Sequence, residues 1–353
     1  MILDLTSFGW SGCGAYHDLI REYSNVDYPY KGDWEFHFLW AVDGLYDLEE
    51  KLCHKHCRVY DSDYAVSRFL NLAKKYSTEN WLGYNRVFTN VSFYDLCEEY
   101  INKLIKMRMK ARCFNDWVHP NKKEPYVRFY NKTIGKILCN RITRKLLGDS
   151  IAESFKIYNP HLMQIAYNPE NFLQVTQEFV ARLFQEIRHD QNKVLIMDQM
   201  FPPDCPDLFQ KYVTEEHKSI IVRRDPRDTY LTMKHATKFP FPVPHTIDEF
   251  IWFYRTIVGE TKLPDTENRI SVNFEDLIYE YDATVEKIES FINLGTHLHP
   301  KTHFDPEISK NNTQIFKLYS QHEKDIQRIE EELSEYLFPF ENYKYERTSN
   351  KIF

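Results

Sequence analysis

With 353 residues, 42% of them apolar and 16% aromatic, the chain holds enough core-forming surface to exclude a disordered protein. A formal net charge of −7 excludes a globally basic nucleic-acid binder. No apolar run approaches the ~18 residues of a membrane span and no signal peptide precedes the first strand, so the expectation is a soluble, cytoplasmic protein.

In chain order, the apolar run Ile2 to Phe8 breaks at the Gly-rich stretch GWSGCG and resumes as AYHDLIREY, with Ala15, Leu19 and Ile20 on one helical face. The pattern predicts strand, loop and helix. Gly9, Gly12 and Gly14 open backbone torsions closed to other residues, so successive N–H groups can turn inward at a helix N-terminus and cradle a phosphate. The same pattern also fits a tight turn with no ligand. A nucleoside-triphosphate loop needs G-x-x-x-x-G-K-[ST], and no lysine stands at that place here.

Next, GDWEFHF sets Glu35 between Trp34 and Phe36, either as a surface carboxylate at a strand end or as a desolvated acid with a raised pKa. His17 and Asp18 are weaker proton acceptors by position. The cluster CHKHC, Cys53 to Cys57, lacks the second ligand pair of a tetrahedral site, so no metal is expected. Seven scattered cysteines fit reduced thiols better than a disulfide framework.

Amphipathic runs such as YAVSRFLNLAKKY, LCEEYINKLIKM, TIGKILCNRITRKLL and NFLQVTQEFVARLFQEI then predict a mainly helical cap at about 44–192 within a single domain. From Lys103 to Lys145 it is markedly basic, with Trp117, Tyr126, Phe129 and Tyr130 interleaved. That mixture suits a sugar or nucleotide, or else a solvated helix face.

Strand and helix alternation returns with KVLIMDQ and with SIIVRRDPRDTYLTM. Asp225 is a helix cap, Pro226 the first helical residue and Asp228 the partner of a capping-box-like pair. Arg224 is thereby fixed at a strand's carboxyl end, with Thr232 on the helix face of Asp228. Ligands bind beyond the carboxyl ends of an open parallel sheet, so Arg224 and the first loop should open into one crevice. NRISVNFEDLIYE with DATVEKIESFINL forms a third such unit, and an acidic amphipathic helix carrying Ile326, Ile329, Leu333 and Leu337 closes the chain.

The first strand, loop and helix, RDPRD after a buried strand, and FEDL followed by a T-x-x-K-I-x-x-F helix together resemble the sulfotransferases that use 3'-phosphoadenosine-5'-phosphosulfate. The resemblance covers both ends of the chain and leaves the basic middle without a counterpart. It implies an α/β, P-loop NTPase-like fold, a central parallel sheet flanked by helices with a large helical insertion. It implies that Arg224 and Thr232 bind the donor's 3'-phosphate, and that Ser11, Gly12, Cys13, Gly14 and Ala15 hold its 5'-phosphosulfate. It places Glu35 as general base and needs no metal.

One departure is Trp10, where the family usually carries a cation; Lys310 and Arg144 are the candidates to replace it. The implied reaction moves a sulfonate group to an acceptor hydroxyl, with a carbohydrate favoured and a phenol or lipid-linked glycan open. The rivals are a P-loop nucleotide or sugar kinase and a non-catalytic nucleotide- or glycan-binding protein.

Overall fold

The computed structural model describes residues 1–29, 34–54, 59–112, 122–235, 244–259 and 263–347. Its strands are β1 (Ile2–Ser7), β2 (Val26–Asp27), β3 (Met107–Ala111), β4 (His161–Ile165), β5 (Val194–Asp198), β6 (His217–Arg223) and β7 (Arg269–Asn273). Five of them form a parallel sheet in the order β2-β5-β1-β6-β7. The fold is α/β, as the alternation of apolar runs and helices predicts.

Continuous apolar runs produce strands buried on both faces, because every second side chain meets helices above or below. Leu3 and Leu5 of β1, with Ile196, Ile220 and Ile270, face α1 (Cys13–Ile20) and the helix Tyr281–Phe291. Ile2, Leu195 and Met197 point the other way, into the helical insertion. Leu5 stands opposite Asp198 on one side and Ile220 on the other, so the carboxyl ends of β1, β5 and β6 lie side by side. A third apolar cluster joins Phe8 to Leu231, Phe250, Ile329 and Leu333 of the carboxyl-terminal helices.

The insertion packs the helices Val59–Thr78, Phe93–Leu104 and Phe172–Ile187 around buried aromatic side chains that include Phe38, Phe69, Tyr84 and Tyr100. It is not helical throughout. The run read as a helix through Met107 stops at Leu104, and β3 pairs antiparallel with β4, from Met107 opposite Ile165 to Ala111 opposite His161. Asp63 anchors this ribbon, accepting from His161 Nε2 at 2.8 Å and from the Gln164 N–H at 2.6 Å. The stretch TIGKILCNRITRKLL divides into Ile134–Leu138 and Arg141–Leu147, because the Asn140 side chain accepts from the N–H groups of Ile142 and Thr143 and restarts the helix. Among the described residues no helix is long and apolar enough to cross a membrane.

Candidate active site

A cavity of about 410 Å³, within the usual range of ligand pockets, opens over the carboxyl ends of β1 and β5. One wall is the loop from Gly9 to Gly14. Ser11 N–H closes back on the Phe8 carbonyl at 3.1 Å and Ala15 N–H on that of Gly12 at 3.1 Å. Between them, the N–H groups of Gly12, Cys13 and Gly14 stand at the start of α1 with no acceptor among the described residues. Such a row of donors at a helix N-terminus fits an anionic oxygen. Ala15 itself does not line the cavity, and its N–H is taken.

Only one of the three glycines does what the sequence reading asked of all three. Gly12 has φ of 82°, and a Cβ there would sit 2.4 Å from Cδ2 of Phe274. Gly9 and Gly14 do not take positive φ and have open space around them. Trp10, by contrast, occupies the left-handed region at φ of 65°.

The lining also carries carboxylate and imidazole side chains. The Phe36 N–H donates to the Asp198 carbonyl at 2.7 Å, and Trp34 and Phe36 are buried in the aromatic core, so Glu35 is held at the rim of β5. Glu35 lines the cavity but is exposed, so the desolvated alternative does not hold. His17 and Asp18 line it too. His17 Nε2 is buried and lies 3.3 Å from Asp198 Oδ2, without hydrogen-bond alignment to it. Asp18 pairs with Arg21 at 2.8 Å, and burial still raises its pKa.

Cys13 Sγ, His17 and Asp198 bring three donor atoms within 4.8 Å of one another, and these described residues could hold a metal ion. The Cys13 thiol is pushed well up, first by burial and then by Asp198. Of the CHKHC cluster, Cys53 and His54 are described and residues 55–57 lie outside the described residues. His54 lies 3.2 Å from Glu49.

Sequence reasoning missed Asp198 and Gln199, although the rule about carboxyl ends of strands points to both. Gln199 is strained, at φ of 58°. It is pinned by Thr6 Oγ1 donating to its Oε1 at 3.0 Å and by its own Nε2 donating to the Ser7 carbonyl at 3.1 Å. Asp4 fixes the next two residues by accepting from the N–H groups of Met200 and Phe201.

The remaining predicted residues lie outside this cavity. Arg224 reaches the loop from behind: Nη1 donates to the Trp10 carbonyl at 3.0 Å and Nη2 to that of Asn312 at 2.6 Å. Its guanidinium, 5.1 Å from the centroid of the Phe274 ring, is buried, so the two segments converge without sharing the cavity. Thr232 Oγ1 donates to the Asp228 carbonyl inside its own helix at 2.7 Å. Asp228 forms no capping box; its carboxylate accepts from the Gln314 N–H at 2.7 Å and the Phe316 N–H at 3.4 Å.

Neither candidate for the missing loop cation reaches the cavity. Lys310 pairs with Glu307 and Glu346, and Arg144 pairs with Asp149 and Glu153 in the insertion. Arg21 is the one Lys or Arg among the cavity's described lining residues.

No protein-family model and no curated protein matches the chain. Among solved structures, the sulfotransferase domain from the curacin biosynthetic pathway is similar over 96% of this chain and 98% of its own, at 14% identity and a TM-score of 0.35. At that level of superposition the likeness supports no inference about this chain.

Proposed function

We propose that the protein transfers a sulfonate group from 3'-phosphoadenosine-5'-phosphosulfate to an acceptor hydroxyl, with a carbohydrate as the favoured acceptor. The reading is carried by one juxtaposition: the unpaired N–H groups of Gly12, Cys13 and Gly14 open into the same cavity as Glu35 and the His17 and Asp198 pair. When bound, the donor supplies an electrophilic sulfonate on a phosphate leaving group. The loop N–H groups hold its anionic oxygens, and Arg21 supplies the cation that Trp10 does not.

Glu35 takes the proton of the acceptor hydroxyl. A second reading gives that role to His17, because Asp198 lies close enough to steady a protonated imidazole. Arg224 and Thr232 take the 3'-phosphate in this reading, and Lys310, paired with Glu307 and Glu346, is not the loop cation. Arg224 then exchanges two carbonyl acceptors for phosphate oxygens.

Calorimetric titration with adenosine 3',5'-bisphosphate and with adenosine 5'-monophosphate tests the donor. The bisphosphate should bind at least ~30-fold tighter, and Arg224→Ala should erase about 2 kcal/mol of that preference. Equal affinities would remove Arg224 from the site, and no binding of either would overturn the reading. Transfer of labelled sulfonate to a glycan panel then separates the bases: Glu35→Gln should be inactive yet still bind the bisphosphate, while His17→Gln keeps activity. The reverse result moves the role to His17.

A further inference from the structure

Residues 122–158 form an arm between β3 and β4, built of the helices Glu124–Lys132, Ile134–Leu138, Arg141–Leu147 and Asp149–Ser154. The arm has almost no interior, for only Glu124, Gly135 and Ala152 are buried in it. Ile134, Ile137, Ile142, Leu146 and Ile151 are each at least 50% exposed. Aliphatic surface on that scale marks a contact with something other than water.

Charge is gathered on the same stretch. It holds nine Lys and Arg residues against three acids, in a chain whose net charge is −7, so the rest of the protein is strongly acidic. Arg144 is paired with Asp149 and Glu153, whereas Lys132, Lys136, Arg141 and Lys145 are exposed and form no ion pair with any described residue.

We propose that this arm docks on the surface of an anionic lipid bilayer. The interleaving decides between a membrane and a second copy of the chain. On the helix Arg141–Leu147, Arg141 and Lys145 form a stripe beside that of Ile142 and Leu146, and Lys136 flanks Ile137 in the same way, so a protein surface wide enough to cover the aliphatic groups would desolvate ammonium and guanidinium groups along their edge. Protein interface cores are depleted in lysine for that reason. At a bilayer the aliphatic side chains enter the acyl boundary while the cationic heads rise to the lipid phosphates. The acidic remainder of the chain is repelled by the same surface, which leaves the arm as the docking face. This does not depend on the transfer reaction proposed above.

Co-sedimentation of the full chain with vesicles tests it, using phosphatidylcholine alone and phosphatidylcholine mixed with phosphatidylserine. Binding should require the phosphatidylserine and weaken with salt. The double variant Lys136→Glu, Lys145→Glu should lower the apparent affinity ~10-fold or more, at ~1 kcal/mol per cation near the surface. Ile137→Asp with Leu146→Asp should lower it at least as much, and both variants should keep the wild-type melting temperature, since the altered side chains are exposed. Binding that ignores phosphatidylserine, or variants that bind like the wild type, would overturn the proposal. So would a dimer in solution, broken by Leu146→Asp, in a protein that does not sediment with vesicles; a second copy would then cover the arm.

Discussion

Gly12 is the position in the loop that admits no other side chain. Its torsion is left-handed and its missing Cβ is where the Phe274 ring passes, 2.4 Å from the ideal atom. Gly12→Ala should therefore cost about 2–4 kcal/mol in urea denaturation, from torsion and from displacement of a buried ring. Gly14→Ala, in the first turn of α1 with nothing nearby, should be neutral or slightly stabilising. Composition announced a Gly-rich turn but could not say which glycine it needs, because that depends on a ring far along the chain. The aromatic neighbours of Glu35 do anchor it, and of the two settings its sequence allowed, surface carboxylate or desolvated acid, it takes the first. The reach of Arg224 to the Trp10 carbonyl depends on how two distant segments meet, and no local pattern reports it.

At the scale of elements, the end of α1 is fastened by one buried carboxylate. Glu22 accepts from the N–H groups of Lys301, Thr302, His303 and Phe304 and lies 2.7 Å from His297 Nε2. Those bonds hold its pKa below the ordinary glutamate value, against the opposing effect of burial. A carboxylate depressed on folding contributes stability that is present above its unfolded pKa and fades as the pH falls through the folded one. Glu22→Gln should lose about 2–4 kcal/mol at neutral pH, and the loss should shrink in acid; equilibrium denaturation across the pH range measures both. The sheet was readable because its strands are continuous apolar runs. The ribbon of β3 and β4 was not: MRMKA alternates apolar and basic residues over only five positions directly after a helical run, and its partner strand lies far along the chain.

Across the whole molecule, the link between the loop, β6 and the carboxyl-terminal segment is a buried charge network. Asp225 holds Arg227 at 2.8 Å and accepts from the Phe338 N–H at 2.9 Å, and Glu275 accepts from the Asp225 N–H at 3.0 Å. Asp228 is pushed up to about 7, chiefly by burial and then by Asp225, and Glu275 rises well above its ordinary value for the same two reasons. An acid raised on folding stays protonated in the native state while the unfolded chain has already lost its proton. Stability therefore falls as the pH climbs from the ordinary aspartate range to about 7. Asp228→Asn removes that charge, so its stability deficit against the wild type, measured by urea denaturation, should be smaller at pH ~8 than at pH ~5. A deficit unchanged with pH would mean that Asp228 is ionised throughout. RDPRD was legible as a strand end and a helix start, but its carboxylates find their partners in segments that no spacing rule connects.

Ala111 and His161 stand directly across from each other where the ribbon ends. The chain thus comes back to the spot it departed from, and everything in between is a detour that leaves both anchor points in place. Lengthening such a detour is entropically cheap, so an outboard segment of this kind can be rewritten without disturbing the sheet to which its two ends are tied.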